Sequence, residues 1–531
     1  MMKLKATADF VQNIHNTEQK EHEFQKLLEP RLKQAEIKTR QAQKRQQQNE
    51  LRDAEKKTGK APLIKPAIPN RISGYRTVAE EVADRRDTVL EQAQIIRAQL
   101  PALLTALSKI PDPRNPKTIQ HQKTTLLIYG ILCFVFQVSS RREANRDMTT
   151  PQFFENMKVL FPEIESIPHN DTLKRLLERI DILKLEEAHI AMIRKLIRNK
   201  KFKKYLINNC YPVAIDGTQK FISHALWDER LQQRTIKKGD GTVIQYYVSV
   251  LEANLVFANG MSIPLLSEFL DYQQGDTASQ KQDCETRAFK RLAARLKSHF
   301  PNLRIMALLD GLYASGPIVE QCNALNWQYM IVLKDGCLPT VWEEANALIK
   351  LLPNNHYQQH HGDRQQDFWW VNKIDYVWGN NGANELILHV VVCHETWEEI
   401  DESGARVIKT SKHAWLSSRP LDKTNLHTRC NLGARYRWGI ESSLLKEKEQ
   451  GYQYEHCFSK NWEALMGYHA LMRIAHCFNE LIHFSATLAK KVKEKTVRGF
   501  IRFVFETCRG RWFKQGEIEA GLKIGYRYQL L

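Results

Sequence analysis

Residues 213–217, VAIDG, and residues 305–311, IMALLDG, each run from an aliphatic segment into an aspartate and then a glycine. A carboxylate at the end of a buried strand is costly unless something pairs with it. One such strand–Asp–Gly is ordinary turn chemistry. Two of them on neighbouring strands would set Asp216 and Asp310 side by side at one sheet edge, where they repel unless a divalent cation bridges them. A third acidic residue is then expected on a helix packed beside that edge, and ARYRWGIESSLLKEKE at 434–449 carries Glu441. Arg437 lies four residues before it and Lys448 seven after, so helical spacing brings all three near one face. Trp438, Ile440, Leu444 and Leu445 make the apolar face of the same helix. The plainer alternative is that Glu441 only makes a helix salt bridge with Arg437. Glu268, Asp271 and Asp335, which ends VLKDG, are further acidic candidates, but only Asp216, Asp310 and Glu441 fit the ordered pattern. His456 and Cys457 are a single pair and read as structural.

The elements that must carry these residues follow from the patterning. Strand-like YPVAID opens a meander continued by VIQYYVSVLEANLVFANG and SIPLLSEFL, with a turn at Asn259–Gly260. A helix, the strand ending in Asp310, a helix at about 315–325 and the strand QYMIVLKDG come next. This β-β-β-α-β-α-β order predicts a mixed sheet flanked by helices. Residues 337–418 interrupt it with alternating β segments containing five tryptophans, Trp369, Trp370, Trp378, Trp397 and Trp415. Helical patterning returns for 419–488, so the core has a first part, 206–336, and a second, 419–488. Upstream, residues 1–60 form a polar helix or coiled coil, 61–75 a proline-bearing linker and 76–205 an all-helical region. Asn170 or Asp171 is expected to cap a helix there. Residues 489–531 interleave basic and aromatic side chains.

Composition narrows the classes. The 531 residues exceed one ordinary core, and three or four domains are expected. The formal net charge of +18 points to a polyanionic partner, most commonly nucleic acid. Ten cysteines without a CxxC pair argue against a zinc ribbon and a disulfide framework, and for reduced thiols in a cytoplasmic protein. The first residues lack the apolar stretch of a signal peptide, and the longest apolar run, 126–138, is too short to cross a bilayer.

With Asp216, Asp310, the interrupting β segment and then Glu441 in this order, the chain resembles the DDE transposases of bacterial insertion sequences over roughly 211–486. The subclass with a β insertion carries a Tyr-x2-Arg-x3-Glu-x6-Lys signature. Arg437, Glu441 and Lys448 match it, while Ala434 stands at the tyrosine position and Tyr436 two residues later. Residues 112–148 and 168–180 also look like the N-terminal region of related insertion-sequence proteins. The resemblance implies a multi-domain α/β protein with an RNase H-like core, a β-rich insertion at 337–418 and a helical DNA-binding region at 76–205. It implies that Asp216, Asp310 and Glu441 bind two Mg²⁺ or Mn²⁺ ions about 3.5–4 Å apart for in-line phosphoryl displacement. Arg437 and Lys448 would hold DNA phosphates, and one of Trp369, Trp370, Trp378 or Trp415 would stack a flipped base. The implied partners are double-stranded DNA, both terminal repeats and target, and a second copy of the chain in the DNA complex. No membrane is involved, and the location is a bacterial cytoplasm, at the nucleoid. The alternatives are a domesticated DNA-binding protein with a silent core, and a structural protein organised by its N-terminal coiled coil.

Overall fold

The computed structural model describes residues 39–43, 46, 72–238, 241–270, 278–400 and 406–531. Most of the expected polar helix at 1–60 and linker at 61–75, and the candidate Asp271, lie outside them. Among the described residues no helix is long and apolar enough to cross a membrane.

The helical region holds α1 (Val78–Ser108), α2 (Lys123–Val135), α3 (Arg141–Asp147), α4 (Pro151–Leu160), α5 (Asn170–Leu177) and α6 (Ile182–Arg198). Side-chain caps start several of them: Thr77 accepts from the Glu80 N–H, Ser140 from Glu143, and Asp181 from Leu183 and Lys184. The cap of α5 departs from expectation. His169 accepts the Asp171 N–H, while Asn170 is buried one position inside and accepts from the Tyr468 hydroxyl at 2.8 Å. The sequence KTTLLIYGILCFV has almost no polar face, and α2 is accordingly buried nearly all round.

The core continues with β1 (Tyr211–Ser223), β2 (Gln232–Lys238), β3 (Gly241–Val256), β4 (Ser262–Phe269), α7 (Ala278–His299), β5 (Ile305–Leu309), α8 (Gly316–Ala324), β6 (Gln328–Val332) and α9 (Pro339–Leu351). Then come β7 (His356–His361), β8 (Arg364–Trp378), β9 (Asn384–Ile400) and β10 (Arg406–Ser417). The helices α10 (Trp438–Glu449), α11 (Trp462–His483), α12 (Ala489–Lys495), α13 (Val497–Arg509) and α14 (Gln515–Lys523) close the chain. The fold is mixed α/β. Ten strands follow the order β2-β3-β1-β5-β6-β10-β9-β8-β7, with β4 also paired to β3. Strands β1, β3 and β4 pair antiparallel, whereas β1, β5 and β6 run parallel. Of the parallel strands, β5 is a short apolar run buried along its length and β6 is buried at its three central residues, as expected where helices cover both faces.

Three features go beyond the patterning of the sequence. Strand β2, QQRTIKK, is polar and carries no strand pattern of its own; it forms a hairpin with residues 241–247 of β3. The segment 337–418 opens with α9 rather than a strand, and its last strand returns to pair antiparallel with β6 at Trp415↔Val332. The basic–aromatic tail folds as an amphipathic helix: Phe500 and Phe503 of α13 are buried, and Phe505 stacks on Phe136 at 5.3 Å.

The chain divides into two compact units. The larger contains residues 68–355, 370–391 and 414–531. In the smaller, β7 pairs with the start of β8, and a buried Glu395 accepts from Gln366 at 2.6 Å and Arg364 at 3.1 Å. Arg364 also lies 3.8 Å over the Trp397 ring.

In the larger unit one buried cation ties the sheet to the segment leading into α10. Arg429, 1% exposed, sits in a single π-helical turn, His427–Asn431. It donates to Ser417 Oγ at 3.0 Å, Gln328 Oε1 at 2.8 Å, the Tyr329 carbonyl at 3.2 Å and Ser418 Oγ at 3.1 Å. A β-carbon on Gly433 would stand 2.5 Å from the Arg429 carbonyl, so only glycine lets the chain close this turn. Arg429→Ala leaves these buried acceptors without their donor. It should cost about 3 kcal/mol in urea denaturation.

Candidate active site

The parallel register pairs Ile215 with Leu309, which brings the next residues, Asp216 and Asp310, side by side; β1 runs on to Ser223, so Asp216 lies within its strand instead of at the expected end, whereas Asp310 follows the end of β5. Val213, Ala214 and Ile215 are fully buried, and Asp216 is where β1 meets solvent. Its Oδ1 accepts the Gly217 N–H at 3.1 Å. Asp310 begins the 3-10 turn Gly311–Tyr313 and takes the Lys334 ammonium on Oδ2 at 2.9 Å. A β-carbon at Gly311 would lie 2.7 Å from the Lys334 stem, so the glycine leaves the lysine room to cross the turn.

Glu441 lies in the first turn of α10, which packs on β1 and β3. Its Oε1 accepts from Arg437 at 2.8 Å. Arg437 is 5% exposed, and its Nε and Nη1 have no hydrogen-bond partner. A buried guanidinium with two unused donors is held by charge, and here the charges are Glu441, Asp216 and Asp310. Lys448 turns to Glu455 at 3.2 Å. Trp438 and Leu445, expected on the apolar face, are 60% and 50% exposed; Trp438 lies 4.9 Å from the Arg437 guanidinium, beside the carboxylates.

The electrostatics separate the two aspartates. Burial pushes Asp216 up; Arg437 pulls it down, Glu441 and Asp310 push it further up, and the result is about 6. Burial also pushes Asp310 up, but Lys334, the Gly311 N–H and Arg437 outweigh it and hold that carboxyl below its usual range. The three carboxylates therefore form one field, with Lys334 and Arg437 neutralising two of them. As arranged, no three His, Cys, Asp or Glu side chains among the described residues stand close enough together to hold a metal ion. The donor set itself suits a hard divalent cation, since it is all carboxylate oxygen.

A second set of residues escaped the sequence reading. On α11, His469, Arg473, His476, Glu480 and His483 recur at four-and-three spacing, and all are buried. The helical period was legible, but a stripe of ionisable residues looks solvent-facing. It is instead the inner face. Arg473 bridges Glu252 of β3 at 3.2 Å and Glu447 of α10 at 3.0 Å. Tyr454 donates to Glu252 at 2.9 Å, His476 meets Glu447, and Lys446 meets Glu480 at 2.9 Å. Ser443 takes a bond from Asn254 at 3.1 Å. Burial alone would raise Glu252 and Glu447, yet Arg473 beside them keeps both low. The helix bearing Glu441 is thus docked by paired charges as well as by Ile440 and Leu444.

The stacking candidates divide. Trp370 and Trp415 are each 5% exposed, in the core. Trp369 is half-buried, stacked on His356 at 4.7 Å with His394 at its edge. Trp378 is half-buried and lies flat against Gly316, where a β-carbon would come within 2.4 Å of its ring. Glu268 is held by Arg291 and Arg295, and Cys457 Sγ bonds the Ser459 carbonyl.

Two measurements follow from this arrangement. The folded Asp216 carboxyl is raised from 3.8 to about 6, so its ionisation opposes folding: no cost below about pH 4, full cost above about pH 6. Asp216→Asn should therefore gain on the order of 2 kcal/mol over the parent near pH 8, allowing for partial exposure, and nothing near pH 3.5, in thermal melts. Glu447→Ala leaves Arg473 and His476 buried without that partner and should cost about 3–5 kcal/mol. Glu449→Ala on the exposed face of the same helix should change stability by less than about 0.5 kcal/mol.

Residues 104–193 match the model of a family described as DDE_Tnp_1-associated. No curated protein matches the chain. The match covers α2 to α5 and most of α6, with the end of α1, and it points to a transposase-related function.

Proposed function

We propose that the chain is a DDE transposase of the insertion-sequence type, which cuts and rejoins DNA at a phosphodiester. The observation that carries this reading is the register pairing of β1 with β5, which sets Asp216 beside Asp310 under the same Arg437 charge that Glu441 binds. Three further features support it. The order β4-β3-β1-β5-β6, antiparallel then parallel, is what an RNase H-like core requires. Arg437, Glu441 and Lys448 keep the Arg-x3-Glu-x6-Lys spacing of the subclass with a β insertion. The transposase-associated match precedes this core in the chain.

In the reaction, the oxygen of water or of a DNA 3′-OH attacks phosphorus in line. A new P–O bond forms as the P–O3′ bond breaks, and the proton lost by the attacking hydroxyl is balanced by one gained on the leaving oxygen. Asp216, Asp310 and Glu441 would hold two divalent ions, Mg²⁺ or Mn²⁺, which supply activation of the attacking oxygen and neutralisation of the leaving one. Burial, and after it the Glu441 and Asp310 charges, raise Asp216, and both penalties are what such cations relieve. To take that role Asp310 and Glu441 exchange their present partners, Lys334 and Arg437, and the two freed cations then face the phosphate. Lys448 adds charge further along α10, and Trp378, half-buried in the same unit, offers a ring for an extruded base. Terminal-repeat and target DNA, a second copy of the chain in the complex, and a bacterial cytoplasmic setting complete the proposal.

The second reading, a DNA-binding protein whose core is silent, is favoured by one observation: Asp310 and Glu441 are already ion-paired. Cleavage decides between them. With Mg²⁺ and a plasmid carrying the element's own ends, the parent should nick DNA, and Asp310→Asn should lose more than about 100-fold in rate while binding the same DNA. Near-parental cleavage by the variant would place the metal site elsewhere; an inert parent that still binds would favour the second reading.

A further inference from the structure

A groove of about 1150 Å³ lies between the end of α1, the outer face of α6 and the connection from α7 to β5. Its charge is one-sided. Lys109, Lys184, Arg194 and Arg198 line it against a single carboxylate, Glu187. Lys109, Lys184 and Arg198 are exposed, and among the described residues none has an ion-pair partner. Arg194 donates to the His299 carbonyl at 2.9 Å and lies 5.7 Å over the Phe300 ring, which fixes its guanidinium at the groove wall. The uncompensated charge is felt locally: burial and the Arg198 charge together hold Lys195 below its usual range.

The spacing along α6 is regular. Lys184, Glu187, Arg194 and Arg198 fall at positions i, i+3, i+10 and i+14, one stripe of a 3.6-residue helix. At about 1.5 Å per residue the stripe is about 21 Å long. One DNA strand passes about six phosphates over that length. The groove also stands away from the carboxylates. It is lined by Asn302 and Leu303 before β5, whereas Asp310 follows the far end of that strand, on the order of 20 Å away at strand rise.

We infer that this groove is a duplex-DNA backbone surface, gripping phosphates at a distance from the site where strands are cut. The inference rests on the reading that the chain handles DNA, and it adds where the flanking duplex lies. An acidic protein would answer the same charge. DNA is favoured by the excess of four cations over one carboxylate along the groove, the formal net charge of +18, and the location of Lys109 and Lys184 within the transposase-associated match.

The test uses the full chain and a fluorescein-labelled random 40-base-pair duplex in EDTA, followed by anisotropy from about 50 to 200 mM NaCl. The variant is Lys109→Gln, Lys184→Gln and Arg198→Gln together. The control, Lys490→Gln, Lys493→Gln and Arg498→Gln, removes the same charge from α12 and α13. The groove variant should bind about 10- to 100-fold more weakly near 150 mM, and its salt slope should fall by about two to three, with unchanged melting. The control should keep most of the affinity and slope. Equal losses in both variants would reduce the effect to net charge and overturn the inference, as would an unaffected groove variant; neither touches the carboxylate reading. Poly-glutamate displacing the duplex at matched charge, with that binding lost in the groove variant, would assign the surface to acidic proteins instead. A parent that does not bind duplex at all would sink both the groove and the DNA reading.

Discussion

Arg437 is the charge on which the rest of the site depends. It is buried, it binds Glu441 directly, and its field lowers both Asp216 and Asp310. Without a cation at this point, two strands and a helix would each deliver a carboxylate to one desolvated place, and folding would oppose itself. The guanidinium is itself incompletely satisfied, with two donors unused. Such a site is balanced rather than saturated, and a balanced site can exchange partners. Burial, with the Glu441 and Asp310 charges added to it, raises the Asp216 carboxyl, while Asp310, bonded to Lys334, is lowered.

The surroundings are organised to hold that balance. Arg429 clamps the turn before α10 to the ends of β6 and β10, and Gly433 lets the chain pass close beneath it. Behind α10, the Glu252–Arg473–Glu447 bridge specifies position in a way that apolar contacts alone do not, since an apolar face tolerates sliding and a paired buried charge does not. Glu252 faces Asp216 across the β1–β3 ladder, so the network grips the strand next to the site and the helix above it with the same arginine.

The positive charge of the chain is divided in space. Lys334 and Arg437 are spent on Asp310 and Glu441, whereas Lys109, Lys184 and Arg198 remain uncompensated near the opposite end of β5. Positive charge at two separated places suits a long polyanion better than a small anionic ligand. Trp438, exposed beside Arg437, adds a flat apolar surface to the first of these places.

Much of the core was legible because strand and helix periods are local. The aliphatic runs before Asp216 and Asp310, the hairpin at Asn259–Gly260 and the helix around Glu441 follow from side-chain patterning alone. Strand β2 was not legible, since a polar hairpin arm owes its form to its partner β3. The cap at His169 and the helix α9 at the head of the inserted segment were missed for a similar reason: weak local preferences yield to neighbours. The ionisable stripe of α11 has a clear period, but polarity gave the wrong side, because only its pairing with Glu252 and Glu447 makes burial tolerable. By itself, then, the sequence determined which residues could supply acid, base and positive charge, and in what order along the chain. Tertiary structure alone decided that Asp216 and Asp310 are neighbours, that Arg437 faces inward to hold them, and that one set of cations stays open. Those outcomes depend on strand register and desolvation, which arise only when distant segments pack together.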